Sequence, residues 1–143
     1  MSNHSRLAHL FALGSAALAV LLASGCTTPF RPPADLAHVR LHGVDSPVVR
    51  IEKIWLERRN DQLAVRGYVI KRLEATDTTR THLDVTLYDA GGRVLRASRE
   101  SFSPKQIVRR HRRPDYASYR VVLDPLPQGV ARIEVRVDET GHP

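Results

Sequence analysis

The sequence predicts an all-β domain, a small antiparallel β-sandwich of about seven strands. Three observations carry that expectation. Apolar residues recur at every second position in segment after segment, which is the period of a strand with one wet face. Turn residues punctuate the segments, among them Asn60-Asp61, Ala90-Gly91-Gly92-Arg93 and Pro125-Leu126-Pro127-Gln128-Gly129. Beyond the apolar N-terminus, no stretch of the 143 residues carries a helical period.

The chain divides into three parts: residues 1–25, 26–35 and 36–140. Residues 1–10 hold Arg6 and no acid, and residues 11–23 are uncharged and mostly apolar. The uninterrupted apolar stretch Ala16–Ala23 is eight residues, short of the roughly 20 that a membrane-spanning helix needs. A basic start, a short apolar run and small residues at its end form the secretory signal pattern. The small residues run directly into Cys26, the single cysteine of the chain, so no intramolecular disulfide can form.

Leu22-Ala23-Ser24-Gly25-Cys26 resembles the lipobox of bacterial lipoproteins. The commonest form has leucine three places before the cysteine; here Ala23 stands there and Leu22 one place earlier. The resemblance implies cleavage between Gly25 and Cys26, a diacylglyceryl thioether on the Cys26 sulfur, and acylation of its amine. Each buried CH₂ contributes about 0.8 kcal/mol, and two chains already anchor stably where one does not. A membrane-bound mature protein is therefore expected. Thr27 follows the cysteine, where inner-membrane retention in this family usually requires Asp; the expected location is the periplasmic face of the outer membrane. Residues 27–35, with three prolines, read as a semi-extended tether.

The strands follow in order. In the segment 36–41, Ala37, Val39 and Leu41 alternate with His38, Arg40 and His42. The segment 48–56 is predicted to place Val49, Ile51, Lys53 and Trp55 on one face, with Trp55 as a packing centre. After the Asn60-Asp61 turn, Leu63, Val65, Gly67 and Val69 alternate with Ala64, Arg66, Tyr68 and Ile70, completing a hairpin. Residues 74–81 have no period and read as a loop. In 82–89, Leu83, Val85 and Leu87 point in, with His82, Asp84, Thr86 and Tyr88 out. Gly91-Gly92 supplies the positive φ that a hairpin connection demands, and 93–102 returns. Strands over 116–124 and 131–138 complete the set. In strand number and hairpin rhythm the domain resembles immunoglobulin- and fibronectin-III-like sandwiches; a likeness at that level carries no activity with it.

Charge is the other marked property. The chain has 22 Lys and Arg against 15 Asp and Glu, a net charge of +7, which favours anionic neighbours. Lys105, Arg109, Arg110, Arg112 and Arg113 concentrate it in one irregular segment. Arginine forks match phosphate and carboxylate geometry, so this segment is a candidate site for anionic lipid, lipopolysaccharide or an acidic envelope protein. Alternatively it is a solvated loop that blocks edge-to-edge pairing. Aromatic residues are not interleaved with the arginines, and nucleic acid is not expected as a partner.

His38 and His42 have a spacing compatible with a metal pair, but Arg40 lies between them and no third ligand is near in sequence. No metal or cofactor is expected. Trp55, Tyr68, Tyr116 and Tyr119 read as packing residues rather than a binding platform. Hydrolase, metalloprotease and phosphate-loop motifs are missing, and acids such as Asp84 and Asp124 form no pair in sequence. The expected role is non-catalytic: a lipid-anchored sandwich that binds or braces an envelope component. The alternative is a periplasmic-face binding protein for a lipid or another anionic amphiphile.

Overall fold

The computed structural model describes residues 31–108 and 116–139. A 3₁₀ turn (Ala34–Leu36) leads into seven strands: β1 (Arg40–Val44), β2 (Val49–Arg59), β3 (Gln62–Lys71), β4 (His82–Asp89), β5 (Val94–Glu100), β6 (Tyr116–Val122) and β7 (Val130–Asp138). They form a four-stranded sheet, β1-β7-β4-β5, and a three-stranded sheet, β2-β3-β6. One apolar cluster joins the sheets, with Leu83, Val85, Ile133 and Val135 facing Val49, Leu56, Val65 and Val121. Phe102 and Ile107, both almost fully buried, close one end of this core. The all-β sandwich predicted from alternation is the fold observed.

The turns follow from local chemistry. Asn60 and Asp61 take φ of 50° and 59°, the left-handed pair that a two-residue hairpin demands. Gly92 has φ of 83° at the β4–β5 turn, where the Asp89 carboxylate accepts from the Arg93 amide at 2.9 Å.

Three details differ from the sequence reading. The first strand starts at Arg40 rather than near Leu36, because the chain turns through Ala34–Leu36 and buries the Leu36 side chain first. β1 pairs with β7 in parallel, the one parallel pair among the described strands. The third difference lies in β2, where Ile51 pairs with Val69 but Lys53 pairs with Tyr68. Glu52 is thus an extra residue, a β-bulge, and every later side chain changes face. Ile54 and Leu56 point inward in place of Lys53 and Trp55. Trp55 is buried, but on the outer side of the three-stranded sheet rather than in the core.

The end of the sandwich where the chain enters holds the Ala34–Leu36 turn together with the β2–β3, β4–β5 and β6–β7 connections. Arg58 donates to both carboxylate oxygens of Asp35, at 2.9 and 2.8 Å, and so fixes the incoming chain to the end of β2. The opposite pole holds residues 45–48, 72–81 and 101–108 and the end of β7.

Candidate functional site

The outer face of the four-stranded sheet is polar because the inward positions of β4 and β7 take all the aliphatic residues. Its β7 row is Arg132, Glu134, Arg136 and Asp138. Glu134 is only 8% exposed, yet His42 and Arg136 flank it. His42 Nδ1 lies 3.2 Å from one carboxylate oxygen, and Arg136 donates to the other at 3.0 Å. Burial alone would raise its pKa, but the hydrogen bonds to His42 and Arg136 outweigh it and hold the carboxyl below the ordinary glutamate value. Arg132 stacks over the Tyr88 ring, 4.1 Å from its centre.

At the far end of this face, β4 and β7 bring His82 directly opposite Asp138, and Asp84 stands two residues along on the same side. His82 Nε2 lies 3.3 Å from Asp138 Oδ2 and 3.7 Å from Asp84 Oδ1. The three ligand atoms fall within 4.8 Å of one another. Despite this proximity the buried Nε2 makes no hydrogen bond. Arg99 on β5 approaches the same oxygens, 3.3 Å from Asp84 Oδ1 and 3.9 Å from Asp138 Oδ2. Its side chain is about half exposed.

The bulge in β2 builds a different surface on the other sheet. Trp55, Tyr68 and Tyr116 run diagonally across its three strands, with ring centres 5.4 and 5.2 Å apart. The Arg66 guanidinium stands 5.8 Å from the Trp55 ring and donates to Glu57 at 2.9 Å. Tyr119 does not join this row; it faces the core.

Of the residues singled out in the sequence, Gly25, Cys26, Arg109, Arg110, Arg112 and Arg113 lie outside the described residues. Lys105, the first cation of the basic segment, turns inward. Its ammonium donates to the Thr81 carbonyl at 3.0 Å and sits 5.6 Å from the Phe102 ring centre. Thr78 bolts the same stretch down, donating to Lys105 O at 2.6 Å and accepting from the Ile107 amide at 2.9 Å. His42 and His38 do not combine: His38 is exposed, and His42 pairs with Glu134. Beside these loops, Arg50, Lys71, Arg72 and Glu74 line an open cleft of about 340 Å³ together with Leu73, which is 72% exposed.

The sequence reading missed the His82–Asp84–Asp138 group. Half of its signal was visible, since His82 and Asp84 fall on the polar face of a cleanly alternating strand. Asp138 joins them only through the β4–β7 pairing, which no local pattern announces. No known protein family, curated protein or solved structure matches this chain.

Proposed function

We propose that this chain is a non-catalytic, lipid-anchored protein of the cell envelope, whose β-sandwich binds or braces another envelope component at the pole opposite its anchor. The observation that carries the reading is the path from Cys26 into the sandwich. Ala34 lies eight positions after Cys26, a reach of at most about 29 Å. β2, which runs the length of the sandwich, has 11 residues and so extends about 36 Å. With the chain pinned through Asp35 and Arg58, a tether of that reach cannot let the far pole point at the bilayer that holds the anchor. The surfaces with unusual chemistry at that pole, the His82 group and the Leu73 cleft, are then presented to something beyond the bilayer surface. Strand addition to an open sheet edge and capture by the basic loop are the two recognition modes that suit such a domain.

The test has two arms in the full chain. Cys26→Ala removes fatty-acid labelling and releases the protein from the membrane fraction; continued labelling of that variant rejects the anchor. A photo-crosslinking residue placed at Leu73 captures a partner that one placed at Val94, on the tether side, does not. Equal capture at both positions rejects the polar orientation.

A second reading is favoured by the Leu73 cleft. The cleft sets an exposed leucine beside Arg50, Lys71 and Arg72, with Glu74 also in its lining. Arg50 pairs with Glu52 and Arg72 with Asp45, while among the described residues Lys71 has no ion-pair partner and is the cation left to meet an anionic amphiphile. Salt-sensitive binding of anionic vesicles or lipopolysaccharide that is lost in Lys71→Ser would support it.

A further inference from the structure

A neutral imidazole turns a lone pair outward from its unprotonated nitrogen, whereas a protonated one offers a strong donor. His82 Nε2 does neither visibly: it is buried against two carboxylates and donates to neither. A buried nitrogen facing two negative oxygens without a hydrogen bond is a costly arrangement unless something positive lies between them.

The spacing states what that is. Zinc binds imidazole nitrogen and carboxylate oxygen at about 2.0–2.2 Å in tetrahedral geometry, which puts neighbouring ligand atoms roughly 3.3–3.6 Å apart. The separations from Nε2 to the two carboxylates are 3.3 and 3.7 Å. The two separations from the imidazole are therefore close to ligand spacing before any cation is added, and all three donors lie within 4.8 Å of one another. They are also supported rigidly. His82 and Asp138 face each other across a strand pair, and Asp84 is on the same strand as His82, with the buried Leu83 and Val137 anchoring the ladder from the other side.

Arg99 supplies the local positive charge: its Nε donates to Asp84 Oδ1 at 3.3 Å, and its guanidinium stands 3.9 Å from Asp138 Oδ2. Being half exposed, it can swing into water and vacate its place beside Asp84 Oδ1. His82 forms the buried floor of the group, and the two carboxylates are more exposed, so an ion reaches it from solvent.

We propose that His82, Asp84 and Asp138 form a binding site for one divalent transition-metal ion, of the zinc, cobalt or nickel class, at the pole opposite the tether. The mixed nitrogen and oxygen donor set selects such borderline ions over magnesium and calcium, which prefer oxygen alone. Three protein donors leave one tetrahedral position for water or for a donor from a partner. The site would make the far pole a metal-dependent docking point. It stands independently of the lipid anchor.

The test uses the full chain, purified in detergent and stripped with a chelator. Cobalt(II) is titrated while its visible absorption is followed, and zinc is then added in competition. The chain has seven histidines, so each titration runs beside variants. One cobalt per chain with tetrahedral absorption, displaced by one equivalent of zinc, is expected. His82→Asn and Asp138→Asn should weaken binding at least as much as the roughly 10–100-fold attributable to outer-shell partners. Arg99→Gln should tighten it, because it removes the competing cation. Unchanged binding in His82→Asn, or no binding by the parent, overturns the proposal and leaves an ion-pair cluster. Should His82→Asn fail to fold, Arg99→Gln decides: affinity equal to or below that of the parent overturns the site.

Discussion

Tyr119 lays its phenol ring over Gly67, filling the space that any side chain at position 67 would need. A Cβ on Gly67 would overlap both the Tyr119 hydroxyl and the backbone carbonyl of Lys53. The hydroxyl lies 3.4 Å from that carbonyl, within donating distance, and burial raises the phenol's pKa well above its usual value. The β2 bulge, the bare centre of β3 and a core tyrosine are thus one device. The bulge brings the Lys53 carbonyl inward, and only a glycine opposite leaves room for it.

Gly67→Ala should therefore destabilise by at least the 1–3 kcal/mol or so typical of overpacking, since backbone stands on one side of the clash. Urea unfolding measures this. Adding Tyr119→Phe should relieve only part of the loss, because the Lys53 carbonyl stays in place. Full recovery in the double variant would show that the backbone is free to yield.

Trp55 gives a second prediction. It is 7% exposed but lies outside the main core, held by Tyr68 and Arg66. Trp55→Ala should cost about 2–4 kcal/mol, at or below the range for a core aromatic. It is the single tryptophan, so its emission reports this face alone. Tyr68→Ala should shift that emission, whereas Leu87→Ala, on the other sheet, should destabilise the protein without moving the native spectrum. A native-state shift in Leu87→Ala would place Trp55 in contact with the core.

Glu134 predicts a pH dependence. Its pKa is lowered in the fold, so its ionised form is favoured there and its contribution is complete above the unfolded value, near 4.3. That contribution is lost as pH falls through the lower, folded value. From about pH 5 down to pH 3, the urea midpoint of the parent should fall faster than that of Glu134→Gln. Parallel curves would mean that His42 and Arg136 do not favour the carboxylate.

The Arg58–Asp35 pair is exposed, and its effect should be local. The Arg58 hydrogen bonds hold the Asp35 carboxyl below its ordinary pKa. Asp35→Asn should speed hydrogen exchange at the Val39 amide, which donates to Leu36 O at 3.0 Å, while the global melting midpoint stays put. Unchanged exchange at Val39 would show that packing of Leu36 holds the turn alone.

How far the sequence could be read varied with the range of the interactions. β3, β4 and β7 were legible because one face is buried and the alternation is strict. Asn60-Asp61 and Gly92 were legible because only a few residues tolerate left-handed backbone. The Glu52 bulge was not. The segment from Val48 to Leu56 is apolar on both registers once Ile54 and Trp55 adjoin, so the pattern accepts either face for Trp55. The parallel pairing of β1 also left no trace, as five residues beside β7 carry no mark of direction. At the candidate site, His82 and Asp84 were visible as outward residues, but Asp138 and Arg99 come from other strands and meet them only through sheet order.

The parallel pairing of β1 with β7 has a mechanical consequence. A pull on the chain ahead of Arg40 acts along the β1 axis, away from the far pole. If the far pole is held, β1 and β7 are loaded in shear, and their inter-strand hydrogen bonds resist together instead of opening one after another. An antiparallel β1 leaving from the opposite pole would peel. The Arg58–Asp35 pair sits ahead of this strand and meets the load first. Direction of strand pairing thus sets how the domain yields under tension.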